Sequence, residues 1–446
     1  MDQLQSSHLG VIRSFSGHGF LEGVGSGQRA GIQFETFETV RGDLWLEATG
    51  TGHRLGSVVA GFVGPHRLEG TSSDGLHTIH CELVWVTELR LSGGGASSEK
   101  LRARCGEIKI KRIGPERPIS TAQALLVNYP SPFASQDAPT SIVHPRLGEI
   151  NIEFRSTHSP GLSRKMEVGL GISETGLLNV KARDDEQLSE SKASDLVDEF
   201  CLVSSVQTGT RVQWLTIDYL SVSGETCLTV LRSNKTAPFR SMPRVIRHDV
   251  TPEQFFGLAI VRVDEAELLW RFSEAANAFV EAIAPGDSLE LQGLKLTSAL
   301  EILAGAWMRR NRKEYVLDGP FERPLFDDVL RREITAELRR LLRERLGTDK
   351  QGREKTSLML QHVRGLNRYP FRVAVRRLVA DTGQRALLEH VDEAVELRNA
   401  LVHTASFSGG PRRSPPAKLA LLAGFVQRLL LGCLDVPETW MEPMRV

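Results

Sequence analysis

An arginine, an asparagine and a histidine stand close together in the segment ELRNALVH, as Arg398, Asn399 and His403. A guanidinium is a permanent cation whose planar fork of donors fits a phosphate or a carboxylate. An imidazole titrates near about pH 6.5 and so can give or take a proton in neutral water. The pair therefore suits a reaction in which one group holds a phosphate while the other moves a proton. The spacing alone is not specific, because Arg-x4-His also occurs at Arg13/His18 and Arg385/His390. Only at Arg398 does an asparagine follow directly.

The element that must position these residues is a helix predicted over 384–403. Its apolar residues fall at 387, 388, 391, 394, 395, 401 and 402, a stripe at helical spacing. Carried on from 391 and 394, the stripe asks for an apolar residue at 398, and the chain has Arg398. A guanidinium on a buried face is costly unless it is paired or faces an anion. Two readings follow for Arg398: an ion pair with a neighbouring acid, or an anion site. Glu301, in the helical segment ALEILAG, is a candidate acid. His403 likewise either interacts with the dipole at the helix C-terminus or acts in proton transfer.

Other chemistry is poorly represented. The chain has no GxGxxG after a strand, no GxxxxGK[ST], no HExxH and no GxSxG. His77, His80 and Cys81 form HTIHC, but a strand puts the two histidines on opposite faces and no second ligand pair follows. The glycine pairs at 92–95 and 409–410 read as hydrophilic turns. No cofactor or metal is expected. The five cysteines are scattered without CxxC, which suits reduced thiols and a cytoplasmic protein. The 55 basic residues balance the 55 acidic ones over 446 residues, so no global charge points to nucleic acid or membrane. No uninterrupted apolar run of about 18 residues is present, and the N-terminus lacks the pattern of a signal peptide.

The chain changes character halfway. Up to about 235, short runs such as AGIQFETF, DLWLEATG, GEINIEFR, MEVGLGI and RVQWLTIDYLSV alternate with turn residues, predicting an antiparallel sandwich or barrel-like β half. One helical insert is predicted at 185–202, and a polar stretch at 131–143 divides the strands. Residues 234–252 hold three prolines and read as a linker. Thr251 then caps, and Pro252 opens, a series of helices. Further helices are predicted at 324–346, 355–366, 370–380, 384–403 and 415–434. The fold class expected is α+β in separate domains: a β-rich domain at 1–240, a linker at 241–252 and an all-α bundle at 253–446. Residues 251–300 carry net charge −5 and residues 331–380 net +9. The basic stretch is either a solvated helix face or an anion-binding surface.

ELRNALVH, on the penultimate helix of an all-α domain and followed by a loop and one apolar helix, resembles the HEPN superfamily. The chain looks most like the ApeA-like branch, in which a β-rich N-terminal domain precedes a C-terminal HEPN domain. The stretch LKLTSALEILAGAWMRR is similar to that branch's first core helix. The resemblance implies a metal-independent endoribonuclease acting in anti-phage abortive infection, with tRNA among its targets. It implies Arg398 on the phosphate, His403 as general acid or base, and Asn399 orienting the histidine or the RNA. It also implies a homodimer whose two motifs share one cleft, an RNA substrate, a phage-derived activator for the β-rich sensor half, and no membrane. The alternative is a non-catalytic HEPN-like protein for dimerisation or nucleotide or RNA binding, with a ligand-binding β domain.

Overall fold

A computed structural model describes residues 11–24, 28–39, 43–51, 55–60, 65–91, 98–129, 140–144, 150–156, 174–181, 188–233, 245–247, 249–284, 286–313, 315–316, 329–347, 349–361, 369–407 and 413–444. Two compact units result. One comprises Met1–Val263, Val280–Ser288 and Thr439–Arg445, the other Asp264–Phe279 and Leu289–Glu438. The run MEVGLGI, both glycine pairs, most of the divider at 131–143 and part of the linker at 241–252 lie outside the described residues.

The first unit is antiparallel. Its strands are β1 (Val11–Gly23), β2 (Arg29–Thr39), β3 (Leu44–Thr51), β4 (His66–Ser72), β5 (His77–Leu91), β6 (Ser98–Cys105), β7 (Glu107–Arg112) and β8 (Ile119–Val127). They continue through β9 (Thr140–His144), β10 (Ile150–Ser156), β11 (Glu174–Lys181), β12 (Gln213–Ser221) and β13 (Thr226–Arg232). Alternation sets the faces. In β2, Ala30, Ile32 and Phe34 are buried while Gln33 and Glu35 are exposed. The ladders of β1–β2–β3–β6–β5–β4 return to β1, so six strands pair in a closed ring. Leu21, Phe34, Leu46, Leu68, Ile79 and Ala103 pack inside it, joined by Leu55 and Val58 of the short helix α1 (Leu55–Ala60).

β5 belongs to two systems. Its residues 85–91 pair with β6 and its residues 77–82 with β7, the two stretches being separated by Leu83 in a left-handed conformation (φ 53°). From β7 the sheet runs on through β13, β12, β8, β11 and β10 to β9. Helix α2 (Glu190–Thr208) packs on β8 and β12 through Ala193, Leu196, Val197 and Phe200. It starts where the Ser189 side chain accepts from the Lys192 amide, and stops at Gly209 (φ 63°). The predicted insert ended six residues early, because VSSVQT reads as β-branched and polar by propensity. The fold overrides that preference by burying Val203 and Val206.

Helices follow. Thr251 and Gln254 form a reciprocal cap: the Thr251 hydroxyl accepts from the Gln254 amide (3.3 Å), and the Gln254 side chain from the Thr251 amide (2.9 Å). This opens α3 (Pro252–Trp270), and α4 (Phe272–Ile283) comes next. The second unit is built around α5 (Leu289–Arg310), against which α8 (Phe371–Asp381), α9 (Val391–Thr404) and α10 (Pro415–Cys433) all pack. Among the described residues α10 is the one helix long and apolar enough to cross a membrane, and 78% of that window is buried inside the protein. Helices α6 (Arg331–Leu346) and α7 (Lys350–Gln361) pack on each other, and α6 buries none of its residues. The expected layout of a β half and a helical half is present, with a large antiparallel sheet in the first.

Candidate active site

Helix α9 does not run through 384–403 as one element. Arg385–His390 forms a tighter 3-10 turn, and the α-helix begins at Val391. A turn with three residues per repeat shifts the phase of the stripe. Leu387 is therefore buried but Leu388 is not, contrary to the prediction (38% exposed). Within α9 the buried positions are Val391, Ala394, Val395, Leu397 and Leu401. Val402, predicted as buried, lies in the last turn and is 43% exposed. Arg398 falls on the buried face among these residues, and its side chain keeps 22% exposure.

The guanidinium is held from three sides. Its Nε (2.8 Å) and Nη2 (2.5 Å) both donate to Oε1 of Glu301, which projects from α5. Its Nη1 donates to the Asn399 side-chain carbonyl at 2.9 Å. Its carbon lies 4.9 Å from the ring centroid of Phe371, the first residue of α8. Of the two sequence readings of Arg398, the acid partner is the one realised within the chain. A guanidinium has five N–H donors, so this arrangement leaves two for a ligand.

Close helix packing sets that geometry. A Cβ on Gly293 of α5 would stand 2.8 Å from Leu401 Cδ1 and 3.0 Å from Phe407 Cζ, so any larger residue there would force the tips of these two side chains to shift. At the other end of α5 the Trp307 indole donates to Asp381 at 2.7 Å, tying α8 to the same helix. Asp392 and Glu393 occupy the first turn of α9, where the dipole favours acids. Arg376 donates to Asp392 at 2.7 Å and holds its carboxyl below the usual carboxylate range.

His403 occupies the last turn and is exposed. Five residues at about 100° each put it about 140° round the helix from Arg398. The two side chains thus leave the helix in different sectors, and the hydrogen bonds of Arg398 go to Glu301 and Asn399 instead. The backbone beyond is fixed. Ala405 ends the helix in the left-handed region (φ 49°), and its amide bonds the Leu401 carbonyl. Buried Lys418 of α10 donates to the Phe407 carbonyl at 2.7 Å. An imidazole is thereby placed at a solvent-facing helix end.

Sequence spacing also hid a feature of the β unit. The tryptophans look dispersed along the chain, yet the ladder registers set Trp45 opposite Arg104 and Arg104 opposite Trp85. Arg102 and Arg104 lie 4.6 and 5.0 Å from the Trp45 ring centroid. The HTIHC residues do not converge: Cys81 is buried in the ring core, and His77 stands 3.9 Å from Asp74. Compared with family models, with curated proteins and with solved structures, the chain has no match in any of the three.

Proposed function

We propose that the chain is a HEPN-type endoribonuclease of the ApeA-like kind, with a barrel-like β domain as sensor and the helical unit as effector. The observation that supports it best is the Arg398–Asn399 pair half-buried on α9, with His403 on the exposed end of the same helix. In this reading the RNA 2′-oxygen forms a bond to the adjacent phosphorus while the bond to the 5′-oxygen breaks. A 2′,3′-cyclic phosphate and a 5′-hydroxyl result. One proton leaves the 2′-hydroxyl and one reaches the departing 5′-oxygen, and His403 handles one of these transfers. The two unused donors of Arg398 hold the phosphate, and Glu301 keeps the guanidinium oriented. Net charge −1 on a non-bridging pair of oxygens suits such a fork. The arginines of α6 draw RNA toward this unit.

The same reading makes the protein a cytoplasmic homodimer, with Arg398 and His403 of two copies facing one cleft and a phage-derived activator acting through the β domain. Its test is direct. The full chain should cut RNA in EDTA and leave cyclic phosphate ends, and His403→Ala should lower the rate by at least about a hundredfold without changing stability. Cleavage at the parent's rate by that variant would sink the nuclease. One observation favours the second reading, a non-catalytic HEPN-like protein that binds nucleotide or RNA: the Glu301 carboxylate already compensates the Arg398 charge. RNA binding that survives in a chain which never cleaves, wild type included, would select it.

A further inference from the structure

An open groove of about 750 Å³ lies wholly within the first unit, over the start of β8 and beside α2. Its floor is the face of β5, β7 and β13 that carries His80, Lys109, Lys111 and Leu228. One wall is the first turn of α2, the other the segment 113–118 that joins β7 to β8. Four cationic side chains line it: Lys109, Lys111, Arg112 and Arg117. Four carboxylates answer them. Lys109 meets Glu190 at 2.7 Å and Glu107 at 3.8 Å, Lys111 meets Glu116 at 3.3 Å, and Arg112 and Arg117 share Glu225.

That pairing is lopsided. Two guanidiniums on one carboxylate leave most of their donors unused. Glu116 is 89% exposed, so its hold on Lys111 is that of a weak surface pair. A ligand with several negative charges can replace both acids. A single carboxylate or a monoester offers too few anionic groups to pair with Lys111, Arg112 and Arg117 together. Exposed Ile113 and buried Leu228 leave apolar surface for an uncharged body, but among the described residues His80 is the one aromatic ring in the lining, which gives little to choose among bases.

We propose that this groove binds a small molecule through a run of two or three linked phosphates, as in a nucleoside triphosphate, with little preference for the base. The proposal concerns the β unit and does not rest on the ribonuclease reading.

Calorimetry of the full chain with ATP, GTP, inorganic tripolyphosphate and AMP tests it. ATP, GTP and tripolyphosphate should bind with similar affinity and AMP much more weakly. Lys111→Ala with Arg117→Ala should weaken ATP binding by about tenfold or more, since each removes a charge-assisted contact. Both residues are exposed, and an unchanged melting temperature of the free variant confirms its fold. Glu225→Gln should do the reverse and tighten ATP binding, because it frees two guanidiniums. Absence of ATP binding, binding unchanged in both variants, or loss of binding instead in Arg339→Ala with Arg343→Ala on α6 would overturn the proposal. Cleavage of RNA is not read in this experiment, so its outcome is separate from that of the nuclease test.

Discussion

Helices α6 and α9 both carry arginines next to acids, but they use them in opposite ways. On α6, Arg340 reaches Glu337 at 2.5 Å and Glu344 at 2.6 Å, one turn away on either side, with more than half of its side chain exposed (55%). On α9, Arg398 reaches 97 residues back along the chain to Glu301 and keeps 22% exposure. The first pairing is local, solvated and made by any helix with that spacing. The second exists only if α5, α8 and α9 are assembled, because each supplies one wall. A charged pair says something about function when tertiary structure has to be built around it.

Truncating each arginine gives the widest separation between the two helices. Arg398→Ala strips Glu301 of two charge-assisted bonds in a part-buried setting, and should cost about 1–3 kcal/mol in a denaturant melt. Arg340→Ala should stay within about 0.5 kcal/mol. Equal effects would break the distinction. Gly293→Ala probes the packing behind it. The added methyl must push Leu401 and Phe407 away, for about 1–3 kcal/mol lost. On the ribonuclease proposal RNA cleavage should fall with it, since α9 moves off the helix that bears Glu301. An alanine scan of the outer face of α6 should show no comparable loss of stability.

Two smaller effects sharpen the picture. Ala405 is a non-glycine residue in the left-handed region at the end of α9. Ala405→Gly should therefore raise stability by about 1 kcal/mol, visible as a higher melting temperature. A lower melting temperature would mean that the alanine methyl makes contacts outweighing the strain. The smallest effect is on acid stability. Asp392 is held below its ordinary range, first by its hydrogen bond from Arg376. A depressed folded-state pKa contributes stability above the unfolded value, and that contribution is lost as pH falls through the folded one. Asp392→Asn should thus narrow the gap between melting temperatures at neutral pH and below pH 4, seen most clearly at low salt.

Much of this was legible in advance. The switch from strand runs to helical periodicity near 235 matches the order of elements, and α8 (Phe371–Asp381) and α10 (Pro415–Cys433) fall within a residue or so of prediction at each end. Arg398 stood out because one charge interrupted an otherwise apolar stripe. What was hidden is what needs distant partners. No local pattern pairs β4 with β1 to close the ring. The Trp45–Arg104–Trp85 row exists only through register, and the start of α7 at Lys350 lies in DKQGREK, where no apolar period marks a helix. The phase slip before Val391 was hidden as well, since a 3-10 turn and an α-helix share the same composition. Glu301 was nameable as a candidate acid for Arg398, and the bond between them is present.

The double membership of β5 bears on how the first unit comes apart. Around Thr78–Glu82 the strand is flanked by β4 on one side and β7 on the other, whereas among the described residues its far end from Trp85 pairs with β6 alone. Opening the ring and peeling the sheet both require breaking this segment, so neither can fray past it independently. Amide protons here should exchange with solvent only when the whole unit unfolds, while β9, at the free end of the sheet, exchanges through local opening. The strand that joins the two β systems is thereby the one that makes them fail together.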